Sequence, residues 1–457
     1  MGNSQINLED IKLAYFIGIG GIGMSAIARF MNKRGIKVAG YDKTATTLTK
    51  TLESEGMEIH YTEDVDALPG NIDLVVYTPA VPQTHAEFVF FKQGDIPIMK
   101  RAEVLGLLSR SLNCIGIAGT HGKTTTSTLL TYLLKQGGLD VSAFLGGISK
   151  DFESNYVEGN SEWLVVEADE YDRSFLHLRP KIGSILSADA DHLDIYGDET
   201  EILEGGFMAY ARLVEDTLLV NDAFMSDFSG ISNAVSYGID HGVWRAEQVR
   251  VEEGRFCFDF VGPDVYWKNL VMALPGRHNI ENAVLALAVC CQFDLEEEKL
   301  RNALASFKGI SRRFERIYED EDCVYIDDYA HHPTELDAAI AAARELYPDR
   351  KLTGVFQPHL FSRTRDFVDG FARSLEKLDK LFLLDIYPAR EEPIPGVDSE
   401  FLIKKINLEN KVLCKKESLL SELKKDRAEV LLTLGAGDID TLVNPIKNYL
   451  KTKLSEG

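Results

Sequence analysis

The sequence predicts an α/β protein of three domains, and three observations predict it. Its 457 residues are about three times the roughly 150 residues of an ordinary domain. Short apolar runs alternate with helix-spaced segments, the order that builds parallel sheets. Two of the runs end in glycine-bearing turns that open a helix, the place where such sheets bind ligands. Hydrophobic residues at 45% and charged residues at 26% are globular usage and exclude wholesale disorder.

In the first unit Leu13 to Ile19 is an apolar run ending in glycines, Met24 to Lys33 has helical spacing, and Ile36 to Tyr41 is a second run. That is a βαβ opening. Ile72 to Tyr77, followed by Pro79 and Pro82, reads as a later parallel strand feeding a loop. The second unit begins near Cys114, where the strand Cys114 to Ala118 enters a turn and then a helix, Thr124 to Gln136, stopped by Gly137 and Gly138. Strands Trp163 to Val166 and Ile182 to Leu186 each end in an acidic loop, and short strand-like runs from Leu219 to Val271 suggest an antiparallel excursion. Arg277 to Cys291 reads as a buried helix. After Gly309, strands Cys323 to Ile326, Leu352 to Phe356, Lys380 to Ile386 and Val430 to Leu434 alternate with helical patterns such as Glu335 to Leu346, and Pro445 to Lys453 reads as a solvated helix.

Composition removes several classes of function. Lys plus Arg (49) against Asp plus Glu (72) leave a net charge of −23, which opposes non-specific attraction to nucleic acid or anionic membrane. No nucleic-acid partner is expected, and any bound phosphate needs local positive groups. The apolar run Ala283 to Phe293 is about half the ~20 residues of a membrane-spanning helix, so no membrane insertion is expected. The polar stretch Met1 to Asp10 lacks the order of a secretory signal, which points to the cytoplasm. The six cysteines show no CxxC spacing and read as reduced, mostly buried thiols.

The sharpest motif is Gly119-Thr-His-Gly-Lys-Thr-Thr-Thr126, set between a strand and a helix. Backbone N–H groups of such a turn and the positive helix end cradle phosphate, Lys123 would reach the terminal phosphates, and the Thr124 hydroxyl would ligate Mg2+. The strict phosphate-loop spacing wants a glycine where Ile117 stands, so a tight turn with a helix cap is the competing reading. Gly18-Ile-Gly-Gly-Ile-Gly23, with Asp42 closing the next strand, fits a diphosphate on a helix N-terminus and an acid on ribose. The same glycines also suit NAD, another nucleotide, or plain close packing. Two acidic loops, Glu167-Ala-Asp-Glu170 and Asp189-Ala-Asp-His-Leu-Asp194, offer the oxygen ligands Mg2+ takes. A strand-end Glu near Thr124 would complete one metal site, and His192 would serve a second. In the third unit Asp327-Asp-Tyr-Ala-His-His-Pro333 and Gln357-Pro-His-Leu-Phe-Ser-Arg-Thr-Arg365 each follow a strand. Their histidines and arginines suit a carboxylate and a nucleotide phosphate, or a loop-stabilising network.

These motifs in this order resemble the Mur ligases, the ATP-dependent amide-forming enzymes of peptidoglycan assembly. The likeness runs from about Tyr15 to Asp440 and includes GRHNIENA (Gly276 to Ala283), SRRFE (Ser311 to Glu315), DDYAHHPTE (Asp327 to Glu335) and FQPHLFSRTRDF (Phe356 to Phe367). The resemblance implies a Rossmann-like UDP-sugar domain over 1–110, a central P-loop-type ATPase domain over 111–309, and a Rossmann-like domain over 310–457 that brings the amino acid and closes on ATP. It implies joining L-alanine to UDP-N-acetylmuramate through an acyl phosphate, with ATP and Mg2+, by a monomer or weak homodimer.

By the same resemblance Gly18, Gly20, Gly21, Gly23 and Asp42 hold the UDP-sugar. Gly119, Thr120, His121, Gly122, Lys123, Thr124 and Thr125 hold the ATP phosphates, with Lys123 on the transferred phosphoryl. Thr124 and Glu167 hold one Mg2+ and His192 the second. Asn282 and Asn279 meet adenine, Arg313 and Asp328 clamp ATP, and His331, Arg363 and Arg365 orient L-alanine. Lys123, Glu167, His192 and His331 form the expected catalytic set. Some relatives bridge the metals with a carbamylated lysine; Asp198 to Arg212 contains no lysine, so none is expected. Leu360 stands where some members carry arginine.

Overall fold

A computed structural model of the chain describes residues 8–189, 199–389, 391–425 and 428–452. His192 lies outside them. Among the described residues the strands form three sheets, and Cα packing groups the chain into two compact units. One unit comprises Met1–Arg245, Gly262–Asp264 and Asn282–Ala303; the other comprises Ala246–Val261, Val265–Glu281 and Leu304–Gly457.

In the first unit, strands β1 (Leu13–Ile17), β2 (Lys37–Tyr41), β3 (Glu58–His60), β4 (Leu74–Tyr77) and β5 (Ile98–Lys100) form a parallel sheet in the order β3-β2-β1-β4-β5. Strand order reverses at β1, so the crevice beyond its carboxyl end is a topological switch point. The loop Gly18–Gly21 sits there and leads into the helix Ile22–Lys33. Phe30 of that helix packs edge-on against Phe144 and Tyr156, 5.5 and 6.1 Å away, joining the first sheet to the second in one core.

The second sheet contains β6 (Asn113–Ala118), β7 (Ser142–Phe144), β8 (Tyr156–Val157), β9 (Trp163–Ala168), β10 (Pro180–Ile185), β11 (Thr217–Asn221) and β12 (Ala234–Ile239), in the order β12-β11-β10-β6-β9-β7-β8. The apolar strand β6 is central and buried, as parallel strands are. Register sets Ile117 beside Glu167 and Ala118 beside Ala168, so the turn after β6 and the acids after β9 leave the sheet together.

The antiparallel excursion expected from Leu219 needs correcting. β11 runs parallel to β10, and β12 runs parallel to β11. Both extend the main sheet, and apolar runs this short carry no mark of strand direction. Sharp reversal begins later, between β13 (Trp244–Glu252) and β14 (Arg255–Gly262), which β15 (Val265–Met272) follows: Glu253 and Gly254 both have positive φ. Positive φ at both central residues is the mark of a two-residue hairpin turn.

In the other unit, β16 (Glu315–Glu319), β17 (Val324–Asp328), β18 (Leu352–Phe356), β19 (Lys380–Leu383), β20 (Lys411–Leu413) and β21 (Val430–Leu434) order as β16-β17-β21-β18-β19-β20. Only the edge strand β16 is antiparallel among these pairings. Asp327 and Asp328 close β17, and Gln357 follows β18.

Candidate active site

The turn after β6 is built for close backbone approach. Gly119 (φ 143°) and Gly122 (φ 81°) take left-handed conformations that side chains resist, and a Cβ on Gly119 would stand 2.7 Å from Leu186 Cβ. Ser187 holds the turn from beneath: its carbonyl accepts from Thr120 N at 3.2 Å, and its hydroxyl accepts from His121 N at 2.9 Å. His121 also lies 3.4 Å from Asp189. The helix Lys123–Gly137 follows, its N-terminal dipole aimed at the turn, with Thr125 buried in its first turn.

Lys123 Nζ donates to both oxygens of Glu170, at 2.7 and 2.9 Å, and to the Gly119 carbonyl at 2.7 Å. Burial works against its charge, but the carboxylates of Glu170, Asp169 and Glu167 outweigh burial and hold its pKa above the ordinary lysine value. Glu170 is fully buried, and desolvation pushes its carboxyl up while Lys123 pulls it down. This partnership was not legible in the sequence, where Glu170 read as one more metal-suited acid.

Thr124 Oγ1 lies 3.0 and 3.1 Å from the two oxygens of Glu167. A hydroxyl beside a carboxylate is the oxygen set that Mg2+ takes when it keeps waters and phosphates as its other ligands. Gly146 makes the room for it: a Cβ there would stand 2.1 Å from Glu167 Oε2. The residues present fit the ion.

Asn282, buried, stands beside the turn, and its Oδ1 would be 3.0 Å from a Cβ on Gly122. Asn279 lies one helical turn earlier and donates to the Pro275 carbonyl at 2.7 Å.

At the β1 switch point Asp42 braces the glycine loop. Its Oδ2 accepts from Gly20 N at 2.8 Å and its Oδ1 from Thr44 N at 3.1 Å. Gly18 has φ 85°, and a Cβ on Gly23 would strike the Arg101 guanidinium at 2.7 Å. A cavity of about 410 Å³ opens here, walled by Gly21, Gly23 and Arg101 on one side and Gly146, Glu167 and Asp169 on the other. Arg101 lies 3.7 Å from Asp169. The glycine loop and the Glu167 carboxylate therefore share one cavity.

In the other unit Asp328 accepts from Phe314 N at 2.6 Å and Ala330 N at 2.7 Å. Desolvation pushes its carboxyl up to about 6, against the pull of Arg313. The guanidiniums of Arg312 and Arg313 lie 5.2 and 5.1 Å from the Tyr329 ring centre. His331 Nδ1 is 3.1 Å from Glu335, which also lies 3.5 Å from Arg313. Glu335 thus joins Arg313 to His331; its i+4 spacing from His331 is the signal that a sequence reading could have used.

Arg363 and Arg365 ride the short helix Phe361–Asp366. Arg365 is half exposed and pairs with Asp366 at 2.7 Å. Leu360 caps this helix at φ 71° without a side-chain cap, and Glu391 supplies one, accepting from Ser362 N at 2.9 Å and from the Ser362 hydroxyl.

The class of protein defined by this fold and this phosphate turn is a three-domain α/β enzyme that handles a nucleotide. The chain belongs to the Mur ligase family. Residues 13–112 match the family model described as "Mur ligase family, catalytic domain", residues 117–290 the "Mur ligase middle domain", and residues 312–439 the "Mur ligase, glutamate ligase domain". The chain is 48% identical over 452 residues to a UDP-N-acetylmuramate--L-alanine ligase of Christiangramia forsetii, covering 97% of this chain and 99% of that protein. It is similar in structure to the UDP-N-acetylmuramate-alanine ligase MurC of Thermotoga maritima, with TM-score 0.81 and 27% identity over 96% of this chain and 99% of that one. A murein peptide ligase of Psychrobacter arcticus shares the fold, with TM-score 0.68 and 22% identity over 93% and 96% of the two chains.

Proposed function

We propose that this Mur ligase forms the amide bond between the lactyl carboxylate of UDP-N-acetylmuramate and L-alanine through an acyl phosphate, using ATP and Mg2+ in the cytoplasm. The observation that carries the reading is the single cavity shared by the glycine loop and Glu167. A sugar diphosphate seated on Gly18, Gly20, Gly21 and Gly23 would extend its carboxylate toward Thr124 and Glu167. Near full-length similarity to a UDP-N-acetylmuramate--L-alanine ligase supports the substrate pair.

The chemistry sets the roles. A carboxylate is a poor electrophile and both reactants are anions, so the site must neutralise charge while the γ-phosphoryl moves. The carboxylate oxygen attacks the γ-phosphorus, ADP leaves, and the amine then attacks the acyl carbon and expels phosphate. Lys123, already charged and aimed at its own turn, exchanges Glu170 for the transferred phosphoryl. Thr124 and Glu167 would hold one Mg2+ and His192 a second, and such ions would neutralise phosphate charge. Backbone N–H groups from Gly119 to Thr125 hold the phosphates, and Asn282 with Asn279 meets adenine. Arg313 and Asp328 would clamp ATP, while His331, Arg363 and Arg365 would orient L-alanine. No protein nucleophile is needed, because the activated group belongs to the substrate.

Phosphate release from ATP and Mg2+, measured with UDP-N-acetylmuramate plus L-alanine, L-serine, glycine or a tripeptide, tests the reading. Release dependent on the sugar nucleotide and greatest with L-alanine is expected. Release with the tripeptide alone, or without either co-substrate, refutes it.

A further inference from the structure

We infer that Asn155 is a positioning residue that fixes the glycine loop relative to the Glu167 carboxylate. Asn155 is fully buried and sits outside the 410 Å³ cavity wall. Its Nδ2 donates to the carbonyl of Ile22, the first residue of the helix Ile22–Lys33, at 2.5 Å, and to Ser25 Oγ at 2.9 Å. Its Oδ1 accepts from Arg29 at 2.5 Å, and Arg29 is held in turn by Glu55 at 2.8 Å and Ser154 at 3.2 Å. On its other side the Asn155 carbonyl accepts from Leu145 N at 2.9 Å, next to the Gly146 that makes room for Glu167.

Asn155 therefore grips both walls at once. Ile22 belongs to the glycine-loop wall, and Leu145 and Gly146 belong to the Glu167 wall. The helix Ile22–Lys33 begins at Gly21 with no side-chain cap, so the contacts of Asn155 and Arg29 fix where its phosphate-facing end points. The inference rests on reading the cavity as the sugar-nucleotide site. A carboxylate tethered to a diphosphate reacts only when the two anchor points have the right separation, and an error of about 1 Å costs about a hundredfold.

The test is Asn155→Asp in the full chain. This near-isosteric change keeps a partner for Arg29 but presents an acceptor to the Ile22 carbonyl, so it loosens the helix start alone. Expected are a rise of about tenfold or more in KM for UDP-N-acetylmuramate or a matching fall in kcat, with KM for ATP and the melting temperature held. Ser25→Ala, which removes one of the two contacts, is expected to give a smaller change of the same sign and carries the comparison if the aspartate variant does not fold. Equal losses toward both substrates, or a lowered melting temperature with unchanged constants, overturn the inference. If the wild-type chain makes no product, the functional reading fails instead. Calorimetric UDP binding to both proteins then decides the positioning role: weaker binding by the variant supports it, and equal binding overturns it.

Discussion

Gly146→Ala offers a sharp test of the proposed metal site because it adds one methyl group without replacing any proposed ligand. Gly146 lies outside the left-handed region, so alanine meets no backbone strain there. Its Cβ would stand 2.1 Å from Glu167 Oε2, 2.6 Å from Cδ and 2.8 Å from Oε1, where ordinary contact begins at 3.4 Å. The carboxylate must withdraw by about 1 Å, which takes it beyond hydrogen-bonding range of Thr124 Oγ1, now 3.0 to 3.1 Å away. Displacement on that scale costs about a hundredfold in rate, or about 2.7 kcal/mol of barrier. Steady-state phosphate release at saturating substrates, repeated across a Mg2+ titration, reads the effect. A fall of that size in kcat, with a higher Mg2+ requirement and an unchanged melting temperature, is expected. An alanine variant with wild-type kcat and wild-type Mg2+ dependence would refute the placing of Glu167 at the metal.

Lys123→Ala removes the charge assigned to the transferred phosphoryl and leaves the buried Glu170 without its cation. A loss of about a thousandfold in kcat and a lowered melting temperature are expected together; unchanged turnover would refute the role. Glu391→Ala uncaps the helix that carries Arg363 and Arg365, so KM for L-alanine is expected to rise severalfold while KM for ATP stays fixed. An unchanged KM for L-alanine would detach that helix from amine-donor binding. His278 is pushed down to about 4 by burial and by Arg313. The folded state therefore binds fewer protons than the unfolded state between that value and the ordinary ~6.5. Stability from His278 is present above pH ~6.5 and lost as pH falls, by up to about 2 kcal/mol between pH 7 and 5. Asp328 has the opposite sign, its share being lost as pH rises through about 6, so chemical unfolding of wild type against His278→Gln isolates the histidine. Identical pH slopes for the two proteins would contradict the assignment.

What the sequence disclosed and what it withheld divide along physical lines. Glycines at Gly18, Gly119 and Gly122 punctuate apolar runs, and all three occupy backbone conformations that only glycine accepts readily, so both turns were visible in the chain itself. Strand ends near Glu167, Asp328 and Gln357 were visible because the apolar runs there give way to acidic or proline-bearing loops. Partnerships between distant residues were not. Lys123 finds Glu170, Asn155 reaches back to Ile22, and Glu391 caps a helix begun thirty residues earlier, and none of these pairs leaves a local spacing to read. Asp42 shows the same limit, since its place after β2 gave no sign of the bonds its oxygens accept from Gly20 N and Thr44 N. The direction of β11 and β12 was illegible because five- and six-residue apolar runs carry no mark of parallel or antiparallel pairing.

The central claim is that ATP activates the sugar-nucleotide carboxylate before the amine attacks. UDP-N-acetylmuramate carrying heavy oxygen in its lactyl carboxylate, turned over with ATP and L-alanine, tests it directly by mass analysis of the products. One carboxylate oxygen per amide is expected in the released phosphate, because that oxygen attacks phosphorus and leaves with it. Amide formed with no label in the phosphate would contradict the account.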